Sequence, residues 1–231
     1  MEKEKTEELV KKLSGGALTK EEILERLKTK DKDRRIFFTP IISTEQQVSS
    51  TAIDIRLGTQ FILFKRTKYP IVDVCESDPK DLNWKIGKYQ DKVSVNLGEN
   101  LVLHPQQLVL GCTLEYIRLP NDLVVEVIGR SSWGRLGLII SAATLVHPGY
   151  AGVITLELAN EGDTPIALYP GIRIAQLVFY KLVGCEKQEA KLCETKYLGS
   201  VEPSFSKLHE DEDLRIIRKI KGSLETARSS N

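Results

Sequence analysis

Between Ile36 and Leu182 the chain breaks repeatedly into short apolar or alternating segments, each closed by turn-forming residues. Phe61–Phe64, Val93–Val95, Leu101–Leu103, Leu108–Leu110 and Leu123–Ile128 read as strands, followed by Leu138–Val146, Gly152–Ala159, Ile166–Leu168 and Arg173–Leu182. The punctuation is Asn96-Leu-Gly-Glu-Asn, Pro120-Asn-Asp, His147-Pro-Gly, Asn160-Glu-Gly-Asp and Tyr169-Pro-Gly, all turn chemistry. Residues 90 to 182 offer no long helical pattern that could carry βαβ crossovers. Strands at this spacing predict a barrel or double-sheet jelly roll. The expected class is mainly β, a distorted barrel or jelly roll with N-terminal helices and a short C-terminal helix.

The ends differ from this middle. Thr6 to Leu13 forms one amphipathic piece, ended by Ser14-Gly15-Gly16. Thr19-Lys-Glu-Glu22 reads as a capping box ahead of Ile23, Leu24 and Leu27. Lys28–Arg35 is a charge run suited to a solvated connection. Beyond Leu182 the composition turns polar, and Asp213–Thr226 predicts a last helix with Leu214, Ile216, Ile217 and Ile220 on its apolar side. The chain therefore divides into a helical segment (1–35), a β core (36–185) and a tail (186–231). At 231 residues one large β domain is the natural size.

Charge and cysteine narrow the functions. A formal net charge of +1 provides no whole-chain basic field for nucleic acid or a membrane surface, so neither is expected as a partner. No apolar run approaches a membrane span of about 20 residues, and the charged N-terminus lacks an apolar signal core. Cys75, Cys112, Cys185 and Cys193 show no CxxC spacing. Reduced thiols in a cytoplasmic protein are the expectation, with no zinc site.

Candidate chemistry gathers in three places. Gly129-Arg-Ser-Ser-Trp-Gly-Arg-Leu-Gly137 brackets two hydroxyls with two guanidinium forks amid glycines, a composition suited to phosphate oxygens. It also fits a polar turn between strands. In Gly152-Val-Ile-Thr-Leu-Glu-Leu-Ala-Asn160, strand alternation sends Ile154, Leu156 and Leu158 one way and Thr155, Glu157 and Ala159 the other. A buried Glu157 would have a raised pKa suited to proton shuttling; the same pattern fits an outward-facing Glu on a half-exposed sheet. Gln176, in an apolar strand, can donate and accept at once, as a ligand contact or a satisfied sheet-face amide. Ala142-Ala143-Thr144 would let a flat ligand approach the backbone, or simply pack. His147 is a turn histidine or a ligand contact that titrates near neutrality. His104 and His209 receive no role, and Asp54–Gly58 reads as an edge strand with a turn.

Taken in order, these elements resemble the deoxycytidine triphosphate (dCTP) deaminase family of the dUTPase-like superfamily. The matching stretches are Gly129–Leu138, Pro148–Leu158 and Pro170–Leu177, with Ser50–Gly58, Leu101–Pro105 and Thr113–Pro120 upstream. The resemblance runs from about residue 18 to about residue 200. It implies a dUTPase-like subunit in a homotrimer with sites between subunits, the β core binding nucleotide and the tail closing over it. It implies Mg2+ carried by the nucleotide triphosphate rather than by the protein. Arg130, Ser131, Ser132 and Arg135 would then meet the phosphates and the base-proximal water, with Ser131 and Arg135 also holding the catalytic geometry. Thr155, Leu156 and Glu157 would meet the cytosine edge, partly through backbone, and Gln176 the nucleotide; Ala143 and His147 are further nucleotide-binding candidates. Glu157 would activate water, and Lys196 and Tyr197 would belong to the closing segment.

The implied reaction is hydrolytic deamination of dCTP to dUTP and ammonia. Zinc deaminases carry H-x-E and P-C-x-x-C, and neither occurs here. His147 stands where relatives carry an aspartate, which speaks against dUTP diphosphatase or bifunctional activity more than against deamination. Ser200 and Glu202 replace the tail glutamines common in the family. These departures keep a catalytically silent, nucleotide-binding regulatory trimer as a further reading.

Overall fold

The computed structural model describes residues 15–65, 71–75, 84, 86–141, 145–183 and 199–229. In chain order the elements are β1 (Gly16–Ala17), α1 (Lys20–Lys28), β2 (Phe37–Thr39), α2 (Thr44–Gln47), β3 (Ala52–Arg56), β4 (Gln60–Phe64), β5 (Gln90–Ser94), β6 (Leu101–Leu103), β7 (Leu108–Cys112) and β8 (Tyr116–Arg118). They continue with β9 (Leu123–Gly129), α3 (Ser131–Gly134), β10 (Leu138–Ser141), β11 (Leu145–Val146), β12 (Ala151–Gly152), β13 (Thr155–Asn160), β14 (Ile166–Leu168), β15 (Arg173–Lys181) and α4 (Glu212–Ser229). The described residues fall into two compact units, one within 1–61 and 94–203, the other within 62–93 and 204–231.

The first unit is mainly β and jelly-roll-like, without a closed barrel. One sheet runs β1-β15-β9-β11, with β3 also on β15; another runs β10-β13-β7-β4. Smaller sheets are β12-β8-β2 and β14-β6. Alternation fills the core as period-2 patterning requires. Leu156 and Leu158 of β13, Leu123 and Val125 of β9 and Leu177 and Phe179 of β15 are fully buried. At the entrance the capping box forms as read: Glu22 N donates to Thr19 Oγ1 and Thr19 N to Glu22 Oε2. Arg26, in the last turn of α1, is buried and donates to Asp122 and to the Arg34 carbonyl.

Two stretches expected as single strands are divided. Leu138–Val146 gives β10, in the sheet of β13, and β11, which pairs with β9. Gly152–Ala159 gives β12 on β8, then β13 on β7 and β10. Gly152 makes the second break: at φ 151° a Cβ there would stand 2.9 Å from the Ser200 carbonyl oxygen. β3, read as an edge strand, pairs with β15, yet all five of its residues are buried.

That burial takes in Asp54 and Arg56, so both need partners. Arg56 pairs with Glu115, fully buried between β7 and β8. Glu115 Oε2 accepts from Arg56 N (2.8 Å); Oε1 accepts from Arg56 Nη1 (3.3 Å) and Gln47 Nε2 (2.9 Å). Burial pushes the Glu115 carboxyl above the usual carboxylate range, and the Arg56 hydrogen bonds oppose the rise.

In the second unit, β5 lies beside Ile62–Phe64 of β4. The expected last helix is present as α4, where Arg218 donates to the Val74 carbonyl and Lys221 to Asp73. Its apolar side is open, with Ile216, Ile217, Ile220 and Leu224 all exposed. Among the described residues no helix is long and apolar enough to cross a membrane. The Thr6–Leu13 piece lies outside the described residues.

Glu115→Ala strands the Arg56 guanidinium and should cost about 3–5 kcal/mol in urea unfolding. Because the folded carboxyl holds its proton more tightly than the unfolded one, its contribution is full below about pH 4.3 and fades as pH rises through the raised value. Glu115→Gln should remove that slope from the stability profile.

Candidate active site

The Arg-Ser-Ser segment crosses from the end of β9 to the start of β10 through a single helical turn. Arg130 precedes that turn in extended conformation, φ −72° and ψ 131°. Trp133 N bonds to the Arg130 carbonyl (3.0 Å), Arg135 N to that of Ser131 (3.1 Å) and Gly137 N to that of Gly134 (3.0 Å). Arg130 is half-buried, while Ser131, Ser132 and Arg135 are exposed. Two hydroxyls and a guanidinium therefore face outward from a tightly bonded turn.

Both ends of the turn are fixed. At the entrance Arg130 N donates to the Ile174 carbonyl (3.2 Å), and Trp133 Nε1 to that of Arg173 (3.0 Å). At the exit Gly137 sits at φ 89°, where a Cβ would lie 2.7 Å from the backbone of Gly162. Glycine is needed there for conformation and for the close approach.

Glu157 lies in β13, directly opposite Ser141 of β10 and Leu110 of β7. Its neighbours Leu156 and Leu158 take the inner face, so within this chain the carboxylate points outward and is exposed. Of the two alternatives left by the alternation, the outward-facing one is observed. The surrounding face is apolar: Ile139 and Leu108, which flank Ala159 across the sheet, are 45% and 41% exposed. Thr155 is half-buried and Leu156 fully buried. Gln176, half-buried, belongs to the other large sheet, in β15 between Asp54 and Ile128.

His147 is exposed at its turn, its carbonyl accepting from Tyr150 N (3.2 Å). Burial pushes the Tyr150 phenol up to about 12, and its hydroxyl donates to the Val153 carbonyl at 2.6 Å. Cys112 is likewise held as a thiol, pushed up to about 11 chiefly by burial. Ala143, Lys196 and Tyr197 lie outside the described residues. The fold thus gathers Arg130 to Arg135 in one turn and sets Glu157 and Gln176 on separate sheets. Sequence reading missed the Asp54–Arg173 ion pair (3.1 Å). Two charged residues, Asp54 and Arg56, inside an apolar strand were the only local signal of it.

Among the described residues no group of three or more His, Cys, Asp or Glu side chains is arranged to hold a metal ion. The architecture defines a jelly-roll-like protein in which an exposed Arg-Ser-Ser turn leads into a carboxylate-bearing sheet. Residues 17–182 match the dCTP deaminase-like family. The chain is 40% identical over 181 residues to a dUMP-forming dCTP deaminase of Dictyoglomus turgidum, covering 78% of this chain and 90% of that protein. It is 38% identical over 198 residues to a dCTP deaminase of Halorubrum lacusprofundi, covering 85% and 93%. Its fold is similar to that of 2'-deoxycytidine 5'-triphosphate deaminase from Agrobacterium tumefaciens, with TM-score 0.53 and 22% identity over 73% of this chain and 48% of that one. The chain belongs to the dCTP deaminase-like family.

Gly137→Ala forces a positive φ on a residue with a Cβ and drives that Cβ into Gly162. It should cost about 1–3 kcal/mol, read as a lowered Tm.

Proposed function

We propose that this protein hydrolyses dCTP to dUTP and ammonia, with Glu157 as the general base and acid. One observation carries the reading. Glu157 is a carboxylate in mid-strand, beside the Ser141 register position, with no side-chain hydrogen bond or ion pair among the described residues. Glu115, Asp54 and Asp122 are each held by an arginine. A carboxylate left open in a sheet is available to a substrate water.

In this reading Glu157 takes a proton from the water as its oxygen bonds to C4 of the cytosine ring, and passes that proton to ring N3. The C4 hydroxyl then gives its own proton to Glu157, which delivers it to the exocyclic amino group. The C4–N bond breaks, ammonia leaves, and C4 is left as the carbonyl. One water is consumed per ammonia released. Ser131 and Arg135 hold the water and the ring in register. Arg130 and Ser132 bind the triphosphate, and charge-assisted guanidinium contacts supply most of that affinity. Thr155 and Leu156 read the cytosine edge, Gln176 holds the nucleotide, and Ala143 and His147 line the nucleoside. Lys196 and Tyr197 close over the phosphates. Mg2+ arrives with the substrate: the residues assigned to the phosphates are arginines, a lysine and hydroxyls, poor ligands for a hard cation that commonly rides on phosphate oxygens.

A homotrimer fits the exposed apolar face around Glu157, since a neighbouring subunit would cover Ile139 and Leu108 and desolvate the carboxylate. The free thiols of Cys75 and Cys112 suit the cytoplasm. A second reading, release of dUMP as well, is favoured by the dUMP-forming name of the Dictyoglomus turgidum relative. Scoring ammonia and pyrophosphate separately from dCTP and Mg2+ distinguishes the two. Glu157→Gln should lower kcat for ammonia release by about 10²–10⁴-fold with dCTP still bound. Undiminished turnover, or none by the folded wild-type protein, contradicts the proposal.

A further inference from the structure

We infer that Arg173 and Trp133 are positioning residues for the triphosphate-binding turn. The inference rests on the reading, proposed above, that Arg130 to Arg135 meet the phosphates. β15 shifts register against β3 between Arg173 and Ala175. In a regular antiparallel strand, successive carbonyls point to opposite edges; a bulge re-aims them. Here both carbonyls serve the same turn. That of Ile174 takes Arg130 N at 3.2 Å. That of Arg173 takes Trp133 Nε1 at 3.0 Å and Arg130 Nη1 at 3.5 Å.

The bulge is itself held. The Arg173 guanidinium donates to Asp54 Oδ2 (3.1 Å) and to the Gln46 carbonyl (2.9 Å). Gln47, next along α2, donates to the Asp54 carbonyl and to buried Glu115. A continuous set of polar contacts thus runs from the buried Glu115 to the indole of Trp133, in the middle of Arg130-Ser-Ser-Trp-Gly-Arg135. Ordering this turn in the folded protein removes an entropy cost that substrate binding would otherwise carry. Trp133 and Arg173 act through the backbone they hold and need not touch substrate.

Steady-state kinetics with dCTP, together with inhibition by inorganic tripolyphosphate, test this. Trp133→Phe keeps the ring and deletes the N–H. It should raise KM for dCTP and the tripolyphosphate inhibition constant in parallel, each about 5–10-fold. Inhibition by deoxycytidine, which lacks phosphate, should stay unchanged. Arg173→Met should act in the same direction, and Arg173→Lys should restore part of the loss. A purely structural role would lower Tm and leave both constants in place, which overturns the inference. Arg130→Ala separates the two layers: if it leaves KM and tripolyphosphate inhibition unchanged, the triphosphate reading itself fails. If Arg130→Ala weakens both while Trp133→Phe and Arg173→Met do not, the positioning role alone is overturned.

Discussion

The buried Glu115 carboxylate is the contact on which the arrangement of the first unit turns. It sits at full burial between two strands and accepts from the backbone and guanidinium of Arg56 and from the amide of Gln47. A charge in such a place is tolerated only when fully paired, so the two oxygens fix β3, α2 and the β7–β8 connection against one another. Asp54, two residues before Arg56, then presents its carboxylate to Arg173. The backbone of Arg173 and Ile174 receives the Arg-Ser-Ser turn. Removing Glu115 would therefore loosen groups distant in sequence from it.

The β character of the core, its turns and the capping box at Thr19 were legible because each is a local pattern. Leu156 and Leu158 alternate with Glu157, and Glu22 stands three residues after Thr19. The change of sheet between β10 and β11 and the one at Gly152 were not legible, because apolar alternation is identical on both sides of a switch. The Glu115–Arg56–Gln47 cluster escaped for a different reason. Its members are 59 and 68 residues apart, and no local rule links a glutamate in Thr-Leu-Glu-Tyr to an arginine in another strand.

The site was legible in its parts more than in its assembly. Composition marked the stretch from Arg130 to Arg135 as a candidate for phosphate contact, and the fold sets it in a turn with both serines exposed. Glu157 could be read only as buried or outward. Within one chain it is outward on a partly apolar face. Gln176 lies on a different sheet from Glu157, a separation that strand alternation alone does not reveal.

The central claim is that water is added to a cytosine ring carbon, and the fate of the water oxygen tests it most directly. Turnover of dCTP in 18O-labelled water, followed by mass spectrometry of the nucleotide product, should place one labelled oxygen on the uracil base for each ammonia released. Label found only in phosphate, with the base unlabelled, would contradict the account and assign the site to phosphate-ester chemistry instead.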